Sequence, residues 1–180
     1  MLKDPSCKYL TSEIINLPER TWVNKTLNHP PIWLSTDLRD GNQSLFNPMS
    51  VEVKTKFYKE LITVGLKEIE IGFPAASDID YKFMRKLIEE DLIPDDVTIM
   101  IMTQARQDLI LKTVEAARGC KRVIVHIYNA TAPAWRDIVF RMSIDQVMDL
   151  VATQVKYLKQ QTDRIPDTKW IKKSYPGTSY

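Results

Sequence analysis

Ser35-Thr36-Asp37-Leu38-Arg39-Asp40-Gly41-Asn42-Gln43-Ser44 follows the apolar run Ile32-Trp33-Leu34. An apolar run that gives way to a polar cluster and a glycine predicts a buried strand, roughly Ile32 to Leu38, ending in a tight loop. The loop holds carboxylates, a guanidinium and a carboxamide. Carboxylate oxygens suit hard cations, and a fixed cation suits a developing oxyanion. Asp40 and Arg39 offer one of each at a single strand end. A polar turn closed by a local Asp–Arg pair would read the same way.

Downstream, the pattern repeats. Ser50 is a plausible N-cap with Glu52 in the first helical turn, Val53, Phe57, Leu61, Ile62 and Val64 recur at helical spacing, and Gly65 ends the helix. Lys67 to Pro74 reads as a second strand with a Gly/Pro loop. Ser77 followed by Asp80 resembles a capping box before the stripe Phe83, Met84, Leu87 and Ile88. Pro94-Asp95-Asp96 turns into a third strand, Val97 to Met102, and a helix from about Arg106 to Arg118 stops at Gly119. Arg122 to Ile127 is a fourth strand. Ser143 with Gln146 opens a long helix carrying Val147, Leu150, Val151, Val155 and Leu158. Strict strand–helix alternation predicts a parallel sheet covered by helices. No glycine-rich phosphate loop follows the first strand, which argues against a dinucleotide fold and for a (β/α) barrel.

Composition narrows the class. A chain of 180 residues suits one domain or a piece of a larger one, and 44% hydrophobic with 27% charged content is ordinary for a folded protein. A net charge of +2, from 25 basic and 23 acidic residues well mixed, gives no footprint for nucleic acid or an anionic membrane. Cys7 and Cys120 match no metal or disulfide spacing and read as reduced structural thiols. No apolar run approaches the roughly 18 residues that span a bilayer. The start lacks a signal peptide's apolar core, and Asp4, Glu13 and Glu19 argue against a transit peptide. A cytoplasmic protein is expected. Residues 1–30, broken by Pro5, Pro18 and Pro30, read as an arm packed on the surface, with Trp22 as its candidate contact; residues 31–162 read as partial barrel and 163–180 as a divergent tail.

In a barrel, the loops after the strands share one face. They would bring together Arg39, Asp40 and Gln43; Phe73, Pro74 and Ser77; Thr103, Gln104 and Arg106; and His126, Tyr128, Asn129 and Thr131. Each has a plainer reading. His126 is equally a satisfied histidine near the core. Glu68 and Glu70 alternate on a strand as solvated or paired groups rather than acid and base. Met100 and Met102 are core filler. Lys172-Lys173 is a solvated run, and Trp135-Arg136 is either a capping contact or a loop over the pocket.

Four segments, Trp33 to Ser50, Gly65 to Ala76, Pro94 to Thr103 and Val123 to Thr131, resemble the 2-isopropylmalate synthases, among the acetyl-CoA Claisen-condensing enzymes. The form resembles the fungal type and its bacterial relatives. The resemblance covers roughly residues 30–160 and implies the N-terminal half of a TIM (β/α)8 barrel, about four strand–helix units. It implies an acyltransferase that condenses acetyl-CoA with 3-methyl-2-oxobutanoate to 2-isopropylmalate, the first step of leucine biosynthesis. By resemblance, Asp40 would bind a divalent cation (Mg, Mn or Zn), Arg39 would steady the enolate beside the reacting carbonyl, and His126 would help hold the oxo acid. These roles agree with Lewis-acid and oxyanion chemistry. Homocitrate or citramalate synthases are the related alternative.

The chain also departs from that family. Its histidines are His29 and His126 alone, so the family's late His-x-His metal pair is absent. Trp170 starts a fifth strand, but Ile171 to Gly177 does not continue the family pattern. The expectation is a truncated member with an incompletely liganded cation, inactive alone. Its open edges would favour a homodimer or pairing with a full-length synthase. A remnant acting only by such association is the non-enzymatic alternative.

Overall fold

The apolar runs form a parallel sheet whose strands are hydrogen-bonded in sequence order: β1 (Leu34–Ser35), β2 (Glu68–Gly72), β3 (Thr98–Gln104) and β4 (Val123–Tyr128). Between them lie α1 (Val51–Val64), α2 (Asp78–Glu89) and α3 (Gln107–Ala116), and α4 (Ile144–Asp163) follows β4. The computed structural model describes residues 31–171 and Glu19. Contacts divide the chain into Met1–Pro31 and Ile32–Tyr180, and every element named here belongs to the second unit. The expected arm with Cys7, Trp22 and His29, and the Lys172-Lys173 run, lie outside the described residues.

Consecutive parallel pairing with a helix after each strand is the N-terminal half of a (β/α)8 barrel. Register runs Leu34 to Glu68, Ile69 to Ile99 and Ile99 to Val123. The sheet then begins a fifth strand: Trp170 bridges Val123 in parallel, with Val123 N–H on the Lys169 carbonyl (3.0 Å) and Ile171 N–H on the Val123 carbonyl (2.8 Å).

One face of the sheet is a closed core. Ile69, Ile71, Ile99, Ile101 and Val123 pack with Leu38, Tyr58, Phe83, Met84 and Leu87 from the turns and helices. A smaller cluster, Ile110, Val114, Leu158 and Ile165, joins α3 to α4. The opposite face is a groove of about 770 Å³ lined by Ile32, Leu34, Glu68, Met100, Ile124 and His126 among others. That division is the period-two alternation of strand side chains.

The caps follow the sequence closely. The Ser50, Ser77 and Ser143 hydroxyls accept from the third residue on, and Gly65 ends α1 in the left-handed region at φ 102°. Ser143 and Gln146 form the complete box. Ser77 and Asp80 do not, because the Asp80 carboxylate turns away to Lys54 and the Phe73 N–H. Two further expectations are corrected. The first strand stops at Ser35, since the Thr36 carbonyl accepts from Arg39 (3.1 Å) and Asp40 (2.8 Å) and winds Asp37–Gly41 into a π-helical turn. The buried face of α1 is Lys54, Thr55, Tyr58 and Leu61, while Val53, Phe57 and Val64 are exposed.

Candidate active site

The π-helical turn after β1 places its residues on both sides of the sheet edge. Leu38 goes into the core with no exposed area, which anchors the turn and leaves Arg39 and Asp40 at the rim. Arg39 reaches across to β2, where Nη2 donates to Glu70 Oε2 at 2.8 Å. Its Nη1 also pairs with Asp40. Burial opposes the charge, yet the Glu70 hydrogen bond and charge, with Asp40 adding to them, hold the guanidinium above its ordinary value. It stays a fixed cation.

Glu70, which the sequence left as a paired or solvated group, is the buried partner of that guanidinium. Its side chain is only 1% exposed, against 52% for Asp40. One oxygen holds Arg39. The other, Oε1, has no hydrogen-bond partner and lies 3.8 Å from His126 Nδ1. The signal in sequence was an acidic residue between two isoleucines, Ile69-Glu70-Ile71, and Glu68 in the same strand blurred it.

His126 is 46% exposed and lines the large groove, so the reading of it as a core histidine is corrected. It sits inward because it alternates with Val125 and Ile127, which face the helices. A second cavity, about 390 Å³, is lined by Arg39, Asn42, Gln43, Phe73, Asp80, Met102 and Tyr128 among others. The rings of Phe73 and Tyr128 meet edge to face at 6.3 Å, and Gln104 donates to the Tyr128 hydroxyl at 2.9 Å. The loops after β1 and β2 and the end of β4 therefore do meet. Arg106 does not join them; it pairs with Asp108 on the surface. Met102 lines this cavity rather than filling the core, whereas Met100 is 3% exposed. Trp135 lies in a π-helical segment, Trp135–Phe140, against the Phe140 ring, and is 52% exposed.

A divalent cation needs several converging oxygen or nitrogen donors. Among the described residues no group of three His, Cys, Asp or Glu side chains converges. Asp40 offers one carboxylate and already faces Arg39. The residues described here do not by themselves fit a metal ion.

The chain is a parallel half-barrel with an arginine–carboxylate pair at the carboxyl ends of its strands. The profile described as HMGL-like covers residues 30–174, and the chain belongs to that family. Within it, the chain is similar to 2-isopropylmalate synthases, as its four segments indicated. It is 54% identical to the one from Herbaspirillum seropedicae over 99% of this chain and 31% of that protein. It is 48% identical to the one from Cupriavidus taiwanensis and 51% to the one from Pseudomonas entomophila, again over 99% of this chain, and 31% and 32% of those proteins. The chain thus spans about a third of the length of the curated relatives it matches. Among the described residues no helix is long and apolar enough to cross a membrane.

Proposed function

We propose that this chain carries the oxo-acid end of a 2-isopropylmalate synthase site, used in the Claisen condensation of acetyl-CoA with 3-methyl-2-oxobutanoate. The observation that supports it best is Arg39, held at the strand ends by a carboxylate that is 1% exposed, Glu70. A guanidinium fixed in that way is preorganised for a developing oxyanion and needs no rearrangement during reaction. Bidentate donors also suit a 2-oxo carboxylate. His126 adds a hydrogen-bonding group on the groove side, and Glu70 orients the arginine. Asp40, by family resemblance, would contribute one oxygen to a divalent cation. Three such ligands do not converge among the described residues. The chain alone is expected to bind the oxo acid and not to turn over.

The test has two arms. Calorimetric titration with 3-methyl-2-oxobutanoate and magnesium should show binding that Arg39→Lys weakens about tenfold, the size of one charge-assisted hydrogen bond. Incubation with acetyl-CoA as well should release no CoA thiol above the blank. Sustained release overturns the claim of inactivity alone; the absence of both binding and release overturns the synthase reading.

A second reading is favoured by the open groove and by Ile32 and Trp33, which are 69% and 71% exposed. In it the chain pairs with itself or with a full-length synthase. A clean monomer by light scattering, alone and mixed with such a synthase, excludes it.

A further inference from the structure

Strand β2 is irregular where the site is built. Glu70 stands opposite Met100 and Gly72 opposite Ile101, so Ile71 is the extra residue of a bulge. A bulge leaves backbone groups without ladder partners and re-aims the neighbouring side chains. The Ile71 carbonyl accepts instead from Lys54 Nζ, at 3.1 Å. Lys54 comes from α1 and has no exposed side-chain area; it also pairs with Asp80 of α2 and lies 5.6 Å from the Phe83 ring centroid. The second Asp80 oxygen accepts the Phe73 N–H at 2.9 Å. Gly72, between them, has φ +143°, and a Cβ there would collide with the Asp80 carboxyl. One Lys–Asp pair from two helices thus holds the two backbone positions that flank Gly72.

A buried ammonium is costly even when paired, and apolar residues of similar volume often do as well or better for stability. Stability alone is a weak reason for Lys54. Geometry is a better one, because Glu70 immediately precedes the bulge and Lys54, Phe73 and Asp80 line the same cavity as Arg39. We infer that Lys54 and Asp80 are positioning residues, which lock the Ile71 bulge and so aim Glu70 at Arg39. The inference rests on the oxyanion role proposed above for Arg39.

The Arg39 Nε–H resonance of the ¹⁵N-labelled chain, assigned by its loss in Arg39→Lys, reads this directly. Lys54→Met and Asp80→Asn should move it toward its position in Glu70→Gln and speed its exchange with water about tenfold. Lys54→Arg, which keeps the charge, should restore most of the shift. Ile110→Ala, a cavity in the separate α3–α4 cluster, should lower thermal stability and leave the resonance in place. A folded Lys54→Met with the wild-type signal overturns the inference, as does an equal shift in Ile110→Ala. Should Lys54→Met fail to fold, the nearly isosteric Asp80→Asn decides by the same two outcomes. Absence of any oxo-acid response in the wild type would overturn the proposed function and leave the Arg39 signal as the test of positioning.

Discussion

Removing Arg39 strands the Glu70 carboxylate, which is 1% exposed, whereas removing Asp40 strands nothing buried. An unpaired buried charge typically costs about 3–5 kcal/mol and an exposed pair about 0–1. Arg39→Ala should therefore lose about 3 kcal/mol in urea unfolding and Asp40→Ala less than about 1. Arg39→Ala combined with Glu70→Leu should recover much of the loss. Sequence made Arg39 and Asp40 legible because they are adjacent; Glu70 stayed hidden because its partner is thirty-one positions away. Cys120 gives a second residue-level test. Burial pushes its thiol from 9.0 up to about 11. The fold favours the protonated form, so that contribution is complete below pH 9.0 and declines as pH rises toward about 11, where the unfolded chain releases its proton first. The buried Tyr58 hydroxyl is raised too and works in the same direction. The melting temperature should fall over that interval, and less steeply in Cys120→Ala.

At the level of elements, the capping residues were readable because a cap is a local arrangement. Ser143→Ala removes half of a complete box and should cost about 1 kcal/mol, measured as a shift in the urea midpoint. The orientation of α1 was not readable. Val53, Phe57 and Val64 looked like the core stripe, but the helix turns Lys54 and Tyr58 inward. A lysine on an inward face contradicts any hydropathy pattern; only Asp80 and the Ile71 carbonyl, both distant in sequence, make it tolerable. Tyr58→Ala should accordingly cost about 3–5 kcal/mol, the range for a large buried aromatic, and Phe57→Ala clearly less. Equal losses would mean that the assigned face is wrong. The shortened first strand has the same kind of cause. Leu38 is as apolar as a strand residue should be, yet it reaches the core from a π-helical turn.

Across the whole molecule, alternation disclosed a parallel sheet covered by helices, and the four segments of resemblance supplied the half-barrel. What it left open was the state of the exposed sheet face and edges. Ile32 lines a groove of about 770 Å³, and both it and Trp33 are largely exposed, a surface that favours association. Light scattering should give a mass that rises with concentration above the 20.9 kDa of one chain. Trp33→Lys with Ile32→Lys should suppress that rise at little cost in stability, both positions being exposed. The order of pairing also bears on how the chain acquires its structure. Leu34 meets Glu68, Ile69 meets Ile99, Ile99 meets Val123, and Val123 meets Trp170, so every new strand joins the one made just before it. No strand waits for a distant partner. Loop closure therefore stays short at each step. A chain emerging from the ribosome can add one strand–helix unit at a time, each laid on a template already in place.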